Sequence, residues 1–255
     1  LILQIKDAGG RLIRSFSSKP DSTYRYWDGA PPADPVLGKQ KGINRFVWDM
    51  RYPTVPGIPN TYIESSYAGH KVIPGTYTLV LKAGDKEVST SAVIVQNPLY
   101  NIDAATYAEY DRVMLAMETE ATKMHNRVNS LYGKRLQLEA ILRYMPAEAK
   151  FDAVRKEVTA LAEQMKTWDE DMIQRKSKAY DDVENFPNKF TANYLFLMNQ
   201  TESDIPKVTQ PSIDLMNELN TQWQVLQKRA DELESKLAAV SKMLVDAGIG
   251  PVWVR

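Results

Sequence analysis

Side chains that could act as bases or metal ligands are few and widely spaced. The chain has two histidines, His70 and His125. Neither has a carboxylate or a second histidine four residues away, the spacing by which one helix presents two ligands to a zinc ion. The sequence therefore predicts no metal site.

Acidic residues cluster in the second half, where general acid and base catalysis would require two carboxylates facing one substrate. Adjacent residues of a helix point apart, so each cluster on a predicted helix is interpreted as solvated surface. These residues are Asp169, Glu170, Asp171, Asp181, Asp182, Glu232 and Glu234.

Sequence motifs for nucleophiles and phosphate loops are also missing. The chain contains no cysteine, its serines lack the glycine frame of a nucleophile elbow, and no glycine-rich loop precedes a predicted helix. We predict no catalytic residue and no cofactor. Two modification motifs remain: Asp21-Ser22-Thr23, which makes Ser22 a candidate for O-glycosylation, and the sequon Asn199-Gln200-Thr201.

The run GINRFVWDMRYP, residues 42–53, has the alternation of a β-strand. Phe46, Trp48 and Met50 would share the core face, so Trp48 is interpreted as a packing anchor. Asp49 could act as an acid or base only beside a second titratable group, and the sequence does not place one there.

The composition excludes several classes of partner. Thirty-two Lys and Arg balance 32 Asp and Glu among 255 residues. The chain therefore has no net positive charge that would attract nucleic acid. No apolar run approaches the roughly 20 residues that span a bilayer. The alternating run that begins at Leu1, with no preceding Met or signal peptide, is interpreted as the remainder of a longer polypeptide.

The chain divides by composition near residue 98. Nine of the 12 glycines and nine of the 14 prolines lie within residues 1–98, together with two hairpin patterns at 1–16 and 77–95. Residues 1–98 are therefore predicted to form an antiparallel Ig-like β-sandwich, within an α+β protein of two domains.

Residues 99–255 carry heptad patterns instead. We predict an elongated, antiparallel three-helix bundle with helices at about 104–145, 147–185 and 211–247, and a short helix within 189–200. The apolar residues are interpreted as core, and the periodicity leaves open whether they also contact a second copy of the chain.

The β half resembles the Ig-like module of the flagellar hook-capping protein and of exported bacterial proteins. NRFVWDMRYP, the segment from Asp204 to Lys207 and the final GIGPVWV further resemble the C-terminal region of large exported bacterial proteins. Those proteins begin with a sortilin-type or sialidase-like β-propeller and are often labelled glycosyl hydrolases. The matching residues determine fold: Gly42, Asn44, Phe46, Trp48, Asp49, Pro53, Pro74, Gly75 and Tyr77.

In such proteins glycosidase chemistry would belong to the propeller, which these 255 residues do not contain. The resemblance implies a non-catalytic structural and protein-interaction module in the periplasm, at the cell surface or secreted. Its partner would be its own propeller or a subunit of a complex. Two alternatives stay open: an accessory region of a glycoside hydrolase, and a stand-alone subunit of a surface or secretion complex.

Overall fold

The computed structural model describes residues 1–202 and 206–252. Within them the chain is α+β, with one antiparallel sheet followed by helices. The strands are β1 (Ile2–Lys6), β2 (Leu12–Ser17), β3 (Gly75–Ala83) and β4 (Lys86–Ile94), and the helices are α1 (Ala104–Tyr144), α2 (Asp152–Met172), α3 (Phe190–Thr201) and α4 (Gln210–Asp246).

The sheet has the order β2-β1-β3-β4, with every neighbouring pair antiparallel. The two predicted hairpins form β1 with β2 and β3 with β4. Gly10 and Gly84 lie in their turns with positive φ values of 81° and 59°, a conformation that glycine adopts without steric cost. On one face of the sheet, Ile5, Phe16 and Tyr77 form a small core with Leu37, Tyr52 and Val72. These last three belong to residues 37–72, which we call the covering segment.

That segment, and not a second sheet, covers this face in the described part of the chain. The predicted strand at 42–53 is wrong, since only an isolated bridge between Arg51 and Lys71 forms there. The physical reason is local competition for the backbone. Asp49 accepts a hydrogen bond from the Arg51 N–H, and the Trp48 indole donates to the Arg51 carbonyl.

The side chains of this segment point toward the core only partly as predicted. The Phe46 ring lies 4.8 Å from Phe16, and the Trp48 ring lies 6.0 Å from Tyr77. Both side chains are half-buried. Met50 is instead exposed and has a positive φ of 59°, so its assignment to the core is corrected.

Helices α1 and α4 match their predicted bounds to within one residue. Asp103 caps α1 by accepting a hydrogen bond from the Thr106 N–H, and Thr209 caps α4 through the Ser212 N–H. Helix α3 forms where the short helix was predicted. The buried heptad residues include Met114, Met117, Ala121, Met124, Val128, Trp223, Ala230, Leu237 and Leu244.

Helix α2 is much shorter than the predicted 147–185. It begins at Asp152 and ends at Met172, and a short 3-10 helix follows at Tyr180–Glu184. The helix ends at Met172 because the residues that follow form other hydrogen bonds instead of continuing it. Arg175 folds back onto Asp169, and the Ser177 carbonyl accepts the Tyr62 N–H.

The larger core joins both halves of the chain. Val55, Ile58, Ile63 and Tyr67 are buried in the same cluster as the helical apolar residues. The division at residue 98 stays a prediction, but the irregular segment before it packs against the helices. No helix in the described residues is long and apolar enough to cross a membrane.

Replacing Trp48 tests the anchoring of the covering segment. Because the indole is only half-buried, we expect Trp48→Ala to lower the free energy of unfolding by about 3 kcal/mol, the low end for loss of a large aromatic side chain. The control Val47→Ala, at a side chain 65% exposed, should change it by less than about 0.5 kcal/mol. Urea denaturation compares the two, and equal stability of both variants would show that Trp48 does not anchor the segment.

Candidate functional site

The most distinctive polar arrangement in the described chain surrounds His70, which is fully buried between the covering segment and α1. Its position depends on Gly69. A Cβ atom at residue 69 would lie 2.6 Å from the carbonyl oxygens of both Tyr52 and Pro53, so only glycine allows the two backbones to approach this closely. The His70 carbonyl then accepts the Tyr52 N–H at 3.0 Å.

Two carboxylates of α1 face the two nitrogens of the His70 ring. Nδ1 lies 2.8 Å from Glu118 Oε1, and Nε2 lies 3.1 Å from Asp111 Oδ1. The His70 backbone N–H also donates to Glu118 Oε1 at 2.6 Å. Asp111 and Glu118 are seven residues apart, so α1 presents both on one face.

An outer layer fixes the Asp111 carboxylate. The Tyr52 hydroxyl donates to Asp111 Oδ1 at 2.9 Å and accepts a hydrogen bond from Arg11 Nη2 at 2.8 Å. The same Arg11 nitrogen lies 3.6 Å from Asp111 Oδ2. We call Arg11, Tyr52, His70, Asp111 and Glu118 the His70 cluster.

Aromatic rings enclose the imidazole. Tyr52 stacks on it with 4.4 Å between ring centroids, and Tyr110 contacts it edge-on at 5.5 Å. Stacking excludes water from the ring, which strengthens the charged hydrogen bonds at its edge.

These contacts set the charge of the cluster. Burial alone would lower the pKa of His70, but the hydrogen bonds and charges of Asp111 and Glu118 outweigh it and raise that pKa. Burial would raise the pKa of Asp111, yet the bonds from His70 and Tyr52 hold it below its usual value. Each ring nitrogen faces a carboxylate oxygen, an arrangement that favours the protonated imidazole, which can donate to both carboxylates.

This geometry supports a structural link more than catalysis. The ring has no exposed surface, and both of its nitrogens are occupied, so it cannot reach a substrate proton. In the described residues no group of three His, Cys, Asp or Glu side chains is arranged to hold a metal ion. The cluster joins the segment around residue 70 to α1.

The other histidine is a neutral core residue. His125 Nδ1 lies 2.6 Å from the Pro56 carbonyl oxygen, to which it donates, and burial lowers the pKa of His125 to about 4. Its Nε2 is buried without a hydrogen-bond partner. His125 therefore also contacts the covering segment, but without charge.

The described residues of the family resemblance do not converge with the His70 cluster, apart from their shared segment. Parts of the Asp204–Lys207 and GIGPVWV motifs lie outside the described residues. Asn44 bonds the Gln40 backbone, Asp49 the Arg51 N–H, and the Tyr77 hydroxyl donates to the Ile73 carbonyl at 2.6 Å. These bonds shape turns. Gly42, Pro53 and Gly75 are exposed, and Phe46, Trp48 and Pro74 are half-buried.

The two modification candidates lie in different settings. Ser22 is exposed, and its O-glycosylation stays a prediction. The Asn199 side chain accepts from the Ser65 hydroxyl and the Ser66 N–H and donates to the Ser66 carbonyl. A glycan on this amide would disrupt that set of bonds, so the structure disfavours the sequon.

One acidic residue interpreted as solvated surface is buried instead. Asp169 is 4% exposed and accepts two hydrogen bonds from Arg175, at 2.5 and 2.7 Å. Asp171 pairs with Arg229 at 2.8 Å near the surface. The sequence interpretation is thus wrong for Asp169, because Arg175 lies outside the helix that carries it.

Sequence reasoning missed the His70 cluster because its members are far apart in the chain. Spacing within one helix could identify only that Asp111 and Glu118 share a face beside the apolar residues of α1. Their partner lies 41 and 48 residues away, in a segment without regular structure.

The chain was compared with family models, curated proteins and solved structures, and none of the three comparisons gave a match.

Removing one carboxylate of the cluster should leave a buried charge unpaired. We expect Glu118→Ala to lower the free energy of unfolding by about 3 to 5 kcal/mol. The control is Glu109→Ala on the same helix, where an exposed pair with Arg112 should contribute less than about 1 kcal/mol. If urea denaturation gives similar losses for both variants, the His70 cluster does not link the two halves.

Stability should also depend on pH through His70. Because its folded-state pKa is raised, its contribution is complete below the unfolded value of about 6.5 and is lost as pH rises through the folded value. The free energy of unfolding of the parent should therefore decline above about pH 6.5 relative to that of His70→Gln. A constant difference between the two proteins from acid to alkaline pH would contradict a protonated His70.

Proposed function

We propose that this chain is a non-catalytic structural and protein-interaction module, forming the C-terminal part of an exported β-propeller protein. The resemblance of its motif residues to such C-terminal regions supports the propeller context and the exported location. The open edge of β4 is the observation that carries the interaction role.

Strand β4 pairs with β3 along its whole length and with no described residue on its other side. Its Val88 and Val93 side chains are 65% and 67% exposed. An unpaired strand of nine residues offers backbone donors and acceptors for strand addition, with specificity coming from alternate side chains. The opposite edge differs, since the Leu37 N–H donates to the Ser17 carbonyl of β2.

The rest of the molecule supports a positioning role for this edge. The His70 cluster and the shared apolar core attach the sheet and its covering segment to α1. A strand added to β4 would therefore be held in a defined orientation relative to the helices. We assign that strand to the propeller of the same polypeptide.

The proposal also includes two assignments of the fold, an Ig-like sandwich and a three-helix bundle. The Ig-like assignment is supported by the antiparallel hairpins and by the small core on one face of the sheet, although an irregular segment, and not a second sheet, covers that face in the described residues. A three-helix bundle is supported by the mutual contacts of α1, α2 and α4, with α3 packed against α1 and α4. A crystal structure of the longer polypeptide would test both assignments.

The first test is the mass of the native polypeptide, measured by immunoblot of the source cells and medium with an antiserum against residues 99–255. The proposal expects a band far above 28.9 kDa. A band at that mass would contradict membership of a propeller protein. Glycan hydrolysis by this purified chain alone would contradict the non-catalytic role.

Amide hydrogen exchange then tests the β4 edge. In the longer polypeptide β4 amides should exchange more slowly than in this chain, and Val93→Lys should restore fast exchange because a charge on an edge strand opposes strand addition. The matched control is Val225→Lys on α4, at a side chain 61% exposed. Equal exchange of β4 in all of these proteins would show that the edge has no partner.

A further inference from the structure

A cationic cavity lies where the end of α2 meets α1 and the start of α3. Its volume is about 390 Å³. Five of its lining side chains are positive and one is negative: Arg135, Lys166, Arg175, Lys176, Lys189 and Glu170. We call it the Arg175 cavity. A chain with no net charge thus concentrates positive charge at one concave site.

The centre of this cavity is held in place by buried contacts. Asp169 binds Arg175 through Nε at 2.5 Å and Nη2 at 2.7 Å, and Nη1 has no hydrogen bond to another described residue. The Arg175 guanidinium lies 3.6 Å from the centroid of the Tyr132 ring, and that of Arg135 lies 5.0 Å from the same ring. An arginine fixed by a carboxylate and by an aromatic face loses little conformational freedom when it binds an anion.

Carboxylates offset only part of the positive charge. Asp169 binds Arg175, Glu139 lies 3.6 Å from Arg135, and Glu163 lies 3.5 Å from Lys166. The last two distances are long for charge-assisted hydrogen bonds.

The two remaining lysines supply free charge. Lys176 lies over the Phe186 ring at 5.9 Å, and neither Lys176 nor Lys189 forms an ion pair with a residue in the described ranges. Both lysines line the same cavity as Arg175, so their ammonium groups add positive charge beside its guanidinium.

We propose that the Arg175 cavity is a binding site for a phosphate or sulfate group. One fixed guanidinium and two lysine ammonium groups suit a tetrahedral oxyanion, which accepts hydrogen bonds from several directions. The volume exceeds that of one such group, so the cavity also has room for a small molecule that carries the group as an ester. This site is independent of the β4 edge and of the propeller assignment.

The test is an NMR titration of the chain with sodium sulfate and, separately, with sodium phosphate, with sodium chloride added to hold the ionic strength constant. Saturable shifts of the Lys176 and Lys189 amide signals are expected with at least one of the two anions, and the tighter anion identifies the preferred group. Shifts that grow linearly without saturation, or equally with chloride alone, would overturn the proposal.

Two double variants complete the test. Lys176→Gln with Lys189→Gln should weaken binding by about tenfold or more, because each lost charge-assisted hydrogen bond is equivalent to about a tenfold change in affinity. Both side chains lie at the surface of the cavity, so circular dichroism should show an unchanged fold. The control, Lys156→Gln with Lys228→Gln, removes two exposed lysines away from the cavity and should bind as the parent does. Equal affinity of all three proteins would overturn the assignment.

Discussion

A buried histidine ring held between two carboxylates is the constraint on which the rest of this structure depends. Taking ionised groups out of water costs several kcal/mol for each ion before their mutual attraction offsets it. The arrangement is therefore stable only when every member is present and correctly placed. His70 comes from the covering segment, while Asp111 and Glu118 come from α1, so the three groups are assembled only when both parts fold together.

Other features follow from this link. Gly69 allows the backbone to bring His70 beside Tyr52, whose hydroxyl then connects Asp111 to Arg11. The covering segment continues into the helical core through Val55 and Ile58. It therefore packs against both the sheet and the helices. The proposed functions depend on this attachment, because a docking edge on β4 and an anion cavity beside α2 are useful only on a scaffold that holds them in place.

Local patterns of the sequence predict part of this architecture. The heptads of α1 and α4 and the alternation of the hairpins arise because each of these elements buries one face against a neighbouring layer. These helices and hairpins therefore form as predicted. Trp48 faces the sheet as its alternation predicts, but its segment forms no strand because Asp49 and Trp48 bond the local backbone. The early end of α2 depends on Tyr62 and Arg175, which lie outside that helix.

The His70 cluster illustrates the same limit at the candidate site. No carboxylate lies within five residues of His70 in sequence, and only the tertiary fold brings α1 beside it. Direct observation of the His70 ring by ¹⁵N NMR tests the central claim of a buried imidazolium most directly. In a pH titration we expect both ring nitrogens to keep their protons beyond about pH 6.5, where a free imidazole is half neutral, and to couple across hydrogen bonds to the carboxylates. A ring that is already half neutral at or below about pH 6.5 would contradict a buried imidazolium.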